Sequence, residues 1–150
     1  MVTLSEFADG RGFLITCPPQ IDVRDFYEAK KALEERFPNL PSWYFGLVDM
    51  SLVSEMTVAA ADFDLLLERD RKIAQFTQPG FSVAVIARAE IAFGMARMWQ
   101  SSLDNVGWDI MVFRERPPAE AWIRQRVLAT FSVQLPPFDL DAAVSAATAK

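Results

Sequence analysis

The sequence contains no histidine and a single cysteine, Cys17. Histidine is the commonest general base near neutral pH and the commonest metal ligand, so its absence removes most hydrolytic and metal-dependent mechanisms. A lone cysteine forms no intramolecular disulfide, and without a histidine to activate it we expect a small buried side chain rather than a reactive thiolate. We therefore expect no catalytic residues, no metal site, no cofactor and no enzymatic activity.

Positive charge and long apolar runs are also scarce. The chain has 15 Lys and Arg residues and 20 Asp and Glu residues, so its formal net charge is −5. This negative charge disfavours nucleic acids and anionic lipid surfaces as partners. The longest uncharged run, residues 73–87, is too short to span a bilayer and contains Pro79. The first residues include Glu6 and Asp9 rather than the basic-then-apolar pattern of a secretion signal, so we expect a cytoplasmic protein without stable membrane insertion.

Apolar residues make up 51% of the chain, which is typical of one packed domain. Two β-prone runs, residues 2–8 and 12–17, flank an Asp-Gly pair at positions 9–10 and predict an opening hairpin. Asp22 is placed to cap a helix that ends near Arg36.

Three later runs are rich enough in apolar residues to form strands buried on both faces: residues 43–50, 82–87 and, more weakly, 109–113. Helical patterns occupy residues 57–76, 91–106 and about 117–128. Strands that alternate with helices pair in parallel through crossovers. The sequence therefore predicts an α/β fold with four main helices and a mixed, mostly parallel sheet of about five strands, with the opening hairpin strand at one edge.

We assign residues 1–128 to this domain and residues 129–150 to a C-terminal extension with few charges. The extension either docks on the domain, crosses to a second subunit or is disordered. Crossing would use its apolar residues Leu135, Phe138 and Leu140.

Two stretches of sequence carry a family resemblance. The first is VDMSLVSEM, residues 48–56, a strand that ends in Asp and leads into a serine loop. The second is AFGMARMWQ, residues 92–100, followed by the strand-like WDIMVF and the AEAWI of the last helix. Together they resemble the STAS superfamily, which has the anti-sigma-factor-antagonist-like fold, and in particular its bacterial STAS/SEC14-like branch. The resemblance covers residues 2–128 and implies that fold and a binding role.

Phosphoswitch members of that superfamily have a pattern like D-L-S-G-V-x-x-x-D-S-S-G, in which a partner kinase phosphorylates the second adjacent serine. Asp49, Ser51 and Val53 match the opening of the pattern. Its last four positions are here Thr57, Val58, Ala59 and Ala60. The acceptor hydroxyl is missing, so the resemblance implies a regulatory or protein-interaction domain without the phosphorylation switch. Thr57 is instead expected to cap the helix over residues 57–76.

The first candidate site lies just past the predicted strand 43–50 and consists of Asp49, Ser51, Ser54 and Thr57. Open α/β sheets bind ligands beyond the carboxyl ends of their strands. Asp and Ser also form turns and caps without any ligand, and the sequence leaves both interpretations open.

The second candidate site is a protein-binding surface on the helix 91–106. Helical spacing places Phe93 with Arg97, opposite an apolar face that includes Met95, Met98 and Trp99. An exposed aromatic beside arginine favours an interface, although a neighbouring loop can also cover such a side chain. The predicted surface, for a protein partner or a second copy in a homodimer, comprises Phe93, Gly94, Arg97 and Gln100.

A third candidate is an apolar cavity between the sheet and the helices. The six Met, four Trp and twelve Phe residues exceed what a minimal core needs, although core packing remains an adequate explanation. The SEC14-like resemblance implies an alternative function, a small carrier or sensor of a lipid or other apolar ligand. The candidate lining residues are Phe45, Met50, Met95, Trp99 and Phe113.

The helix over residues 57–76 combines an apolar stripe with a charged run. Its predicted packing face consists of Val58, Leu65, Leu66, Ile73 and Phe76. The run ERDRK, residues 68–72, is expected to be a solvated face, and all lysines are expected on exposed helices or at the terminus.

Overall fold

The computed structural model describes residues 2–7, 10–38 and 40–138. The strands are β1 (Thr3–Phe7), β2 (Gly12–Thr16), β3 (Gln20–Asp22), β4 (Phe45–Met50), β5 (Glu55–Thr57), β6 (Ser82–Ala87) and β7 (Asp109–Phe113). The helices are α1 (Val23–Arg36), α2 (Ala60–Phe76), α3 (Glu90–Ser102) and α4 (Arg116–Phe131), with a single 3-10 turn at Leu40–Ser42. Within these described ranges, none of the helices is long and apolar enough to cross a membrane.

The main sheet has the strand order β1-β2-β4-β6-β7. β1 runs antiparallel to β2, and every other neighbouring pair is parallel. The predicted α/β class is confirmed, including the hairpin strand at the edge and the parallel pairing of the two central strands, β4 and β6. β3 and β5 form a separate parallel pair that the sequence did not predict, because three-residue strands show no detectable alternation.

Local sequence explains how the central elements form. Asp22 accepts a hydrogen bond from the Arg24 amide at 3.0 Å, and Asp25 accepts one from the Asp22 amide at 3.0 Å, so the predicted cap of α1 is present as a capping box. Every residue of β4 and of β6 is buried. Both strands are covered on both faces, which is why their sequences are nearly continuous apolar runs.

The sheet separates two apolar cores. Helices α1, α2 and α3 cover one face, and α4 covers the other. Side chains alternate along β4, so Phe45 and Leu47 point to the α4 face, whereas Val48 and Met50 point to the opposite face. α2 packs chiefly on α1 and lies above the sheet rather than on it.

α2 differs from the prediction at its start and on its buried face. It begins at Ala60, after an Ala59 cap without a side-chain hydrogen bond, and Thr57 belongs to β5, so the predicted Thr57 cap is wrong. Leu66 and Ile73 are buried as predicted, but Val58, Leu65 and Phe76 are 39%, 45% and 55% exposed. The buried face is Phe63, Leu66, Leu67, Asp70 and Ile73. An apolar pattern misses this face because one of its positions is an aspartate.

The last elements run further than predicted. α4 continues to Phe131, three residues past the predicted end, and Leu135 beyond it is buried against the α4 face. The Phe138 ring packs 4.9 Å from the Phe7 ring and 5.3 Å from the Phe45 ring, measured between centroids. Residues 132–138 of the extension are therefore docked on the domain. The predicted contact of Leu140 lies outside the described residues.

Candidate functional site

A cavity of about 30 Å³ lies beneath α2, between β4, β6 and the helices α1 and α3. Its lining residues are Phe26, Lys30, Val48, Met50, Leu66, Val85, Met95, Ala96 and Trp99. Three predicted pocket residues, Met50, Met95 and Trp99, therefore meet around one space.

The other two predicted pocket residues do not line this cavity. Phe45 and Phe113 lie in the core on the α4 face, where Phe45 packs against Phe7 and Phe113 against Trp122. Phe45 and Met50 are five positions apart on one strand, so the two-residue alternation of a strand puts them on opposite faces. The five-residue spacing is visible in the sequence, and in a strand it already excludes Phe45 and Met50 from the same cavity.

Two of the lining residues, Lys30 and Trp99, are bonded to a buried carboxylate, that of Asp70, which does not itself line the cavity. Lys30 is 4% exposed and Asp70 is 0% exposed, and Lys30 Nζ donates to Asp70 Oδ1 at 2.5 Å. Trp99 Nε1 donates to Asp70 Oδ2 at 2.8 Å, so both carboxylate oxygens accept a hydrogen bond. We call these three residues the Lys30–Asp70–Trp99 centre. The expectations that Lys30 lies on an exposed helix and that Asp70 belongs to a solvated run are both wrong, because each charge neutralises the other inside the fold.

Sequence reasoning missed this centre although a signal was available. Lys30 falls between Phe26 and Leu33 on the buried face of α1. Asp70 falls between Leu66 and Ile73 on the buried face of α2. A lysine in one apolar stripe and an aspartate in another show that each helix carries a charge on its buried face, but not that the two charges meet.

The Lys30 ammonium has hydrogen-bonding capacity that the described residues do not use. It carries three N–H donors, and within the described ranges its hydrogen-bond acceptor is Asp70 alone. Its nitrogen also lies 5.3 Å from the Trp99 ring centroid and 6.0 Å from the Trp108 ring centroid, which are cation–π distances. Lys30, which lines the cavity, therefore has hydrogen-bond donors that its bond to Asp70 does not use.

The loop candidates at the carboxyl end of β4 have structural partners within the chain. Asp49 is 4% exposed; it accepts from the Ser51 amide at 2.9 Å and from Arg116 Nη2 at 3.1 Å. Ser54 donates to the Pro19 carbonyl through its amide at 2.8 Å and its hydroxyl at 3.3 Å. Thr57 is exposed in β5. The structure brings Asp49 and Ser51 together as a turn and ties Ser54 to another loop.

The α3 candidates also have neighbours. The Phe93 ring is half-buried beneath the Arg114 guanidinium, whose central carbon lies 4.0 Å from the ring centroid, so the stacking arginine is not Arg97. Gln100 donates to the Ile110 carbonyl at 2.8 Å. Gly94 and Arg97 are exposed.

A second apolar feature of α3 faces outward beside Gly94. Ile91 is 49% exposed, and Met98, which was expected on the packing face, is 48% exposed. Ile91, Gly94 and Met98 lie on one side of the helix, and we call them the α3 outer stripe. An added Cβ on Gly94 would have no described atom within 4 Å.

Cys17 is buried at the end of β2, and burial together with the nearby Asp49 carboxylate raises the pKa of its thiol. The thiol therefore stays protonated at neutral pH and is not a nucleophile. The described part of the chain contains no group of three or more Cys, Asp or Glu residues arranged to hold a metal ion.

Comparison of the chain with protein-family models, with curated proteins and with solved structures found no match in any of the three.

Proposed function

We propose that the protein is a non-catalytic binding domain that carries or senses a small apolar molecule in the cavity beneath α2. The observation that carries the proposal is that Lys30, with donors that Asp70 does not use, lines a cavity otherwise enclosed by aromatic, methionine and aliphatic side chains. Ligand sites typically combine such apolar walls with a few polar groups that orient the ligand. The resemblance of residues 48–56 and 92–100 to STAS/SEC14-like sequences supports the same proposal.

The dimensions of the cavity determine how a ligand enters. Its volume of about 30 Å³ corresponds to about one water molecule, so a larger ligand requires movement of the walls. Met50 and Met95 have unbranched side chains that adopt other rotamers easily. α2 packs chiefly on α1 rather than on the sheet. A small displacement of α2 with these methionines opens the space.

Native mass spectrometry after mild purification tests this function. We expect a fraction with added mass that disappears after organic extraction. Val85→Ile adds a methyl group at the cavity wall and should reduce that fraction, whereas Val58→Ile, at an exposed position, should not. A chain that always has its own mass, under gentle conditions and from several preparations, contradicts the carrier function.

The second candidate function is a protein-interaction domain that acts through the α3 outer stripe, with a second copy of the chain as the partner. Ile91 and Met98 lie at equal distances on either side of the midpoint between Gly94 and Met95. An antiparallel two-fold arrangement of α3 would therefore place Ile91 of each chain on Met98 of the other. Gly94 allows the two helices to approach closely, because it has no side chain.

Sedimentation velocity at micromolar concentration tests this homodimer. We expect a dimer that Met98→Glu converts to a monomer, because the charge would be buried in the apolar contact. The matched control is Leu128→Glu on α4, where the leucine is 52% exposed, and this variant should remain dimeric. Wild-type protein that sediments as a monomer contradicts the second candidate function.

A further inference from the structure

The geometry of the Lys30–Asp70–Trp99 centre points to a particular class of ligand, and this inference rests on the proposed cavity-binding function. We propose that the ligand is electrically neutral and presents one carbonyl or hydroxyl oxygen to the Lys30 ammonium. Ketones, esters and alcohols with an apolar chain belong to this class. Carboxylates and phosphates do not.

The charge balance of the centre argues against an anionic ligand. The positive charge of Lys30 is already compensated by Asp70 at 2.5 Å. Among the described residues, no other charged side chain lines the cavity. A carboxylate placed beside Lys30 would add an uncompensated negative charge in an apolar interior and would compete with Asp70 for the same ammonium.

The hydrogen-bond balance of the centre argues for an acceptor oxygen. Both oxygens of Asp70 already accept, one from Lys30 and one from Trp99, so the centre offers donors rather than acceptors. A pure hydrocarbon would leave the remaining Lys30 donors with only the Trp99 and Trp108 rings beside them, and a ring is a weaker acceptor than an oxygen. A single oxygen has about the size of the water molecule that the cavity can hold, so it fits beside Lys30, and the apolar chain occupies the space that opens when the methionines move.

The methionine methyl groups provide a local readout. Protein labelled with carbon-13 at the methionine methyl groups is titrated with 2-octanone, 1-octanol and octanoate and followed by NMR. We expect 2-octanone and 1-octanol to shift the signals of Met50 and Met95 in a saturable way, with Met98 and Met111 unchanged because they are half-exposed elsewhere. At neutral pH octanoate should bind at least about tenfold more weakly than 2-octanone.

A charge-free variant tests the role of Lys30 itself. Lys30→Met combined with Asp70→Asn removes both charges and leaves an amide oxygen to accept from Trp99. We expect affinity for 2-octanone to fall about tenfold or more in a variant that circular dichroism shows to be folded. The control combines Arg88→Met with Glu115→Gln at an exposed ion pair and should bind like the wild type.

The possible outcomes distinguish failure of the neutral-ligand inference from failure of cavity binding itself. Octanoate that binds as tightly as 2-octanone overturns the neutral-ligand inference and leaves cavity binding intact. If the charge-free variant binds 2-octanone as tightly as the wild type does, Lys30 does not hold the ligand oxygen, and cavity binding again remains intact. Absence of saturable shifts at Met50 and Met95 with all three compounds overturns the inference and cavity binding together.

Discussion

Asp70→Ala is expected to lower the free energy of unfolding by about 3–5 kcal/mol, because removing one partner leaves a buried charge uncompensated. Lys30 would remain 4% exposed without a carboxylate beside it, and Trp99 would lose its hydrogen-bond acceptor. Urea unfolding followed by circular dichroism measures the change. This effect is among the largest expected for a single substitution in a domain of this size.

Two control variants separate the loss of a partner from the loss of charge. The charge-free variant, Lys30→Met with Asp70→Asn, should recover most of the lost stability, since replacing both partners of a buried pair is often neutral. Glu115→Ala removes one side of an exposed pair whose side chains are 56% and 59% exposed, and should change stability by less than about 1 kcal/mol. If Asp70→Ala lowers the free energy of unfolding no more than Glu115→Ala does, Lys30 and Asp70 do not form a buried ion pair.

Gly46→Ala is the second substitution with a large expected effect. A Cβ at position 46 would lie 2.3 Å from Cζ of Phe13, a ring that is itself 3% exposed and packed between Trp43 and Phe81. Because the ring cannot move without displacing its neighbours, we expect a loss of about 1–3 kcal/mol or more from overpacking. Thermal and urea unfolding measure this loss.

Gly94→Ala is the matched control because it adds the same methyl group where there is space. No described atom lies within 4 Å of that Cβ, and the position is inside α3, where alanine is the better helix former. Measured in the Met98→Glu background, which removes any α3 contact between chains, this variant should gain about 0.5–1 kcal/mol. The two alanine variants therefore have opposite expected signs, and a neutral Gly46→Ala would mean that Phe13 is free to reorient.

The sequence by itself determined the order and type of the main elements. Continuous apolar runs in β4 and β6 predicted strands covered on both faces, and both strands lie at the centre of the sheet. The Asp22 cap was predictable because its partners, Arg24 and Asp25, are within three residues along the chain. Apolar runs and helix caps depend on residues that are close along the chain, so they can be recognised without knowledge of the fold.

Only the tertiary structure decided which side chains form the candidate site. Lys30 and Asp70 are 40 positions apart, and Trp99 is a further 29 positions along the chain. A hydrophobic pattern assigns every charged residue to the solvent side. Burial of a charge is tolerated only beside a partner of opposite charge, and the pattern does not contain that partner. The packing of α2 on α1 brings Asp70 to Lys30, and the hydrogen bond from Trp99 adds α3 to the centre. These contacts join distant parts of the chain, so no single segment of sequence contains them.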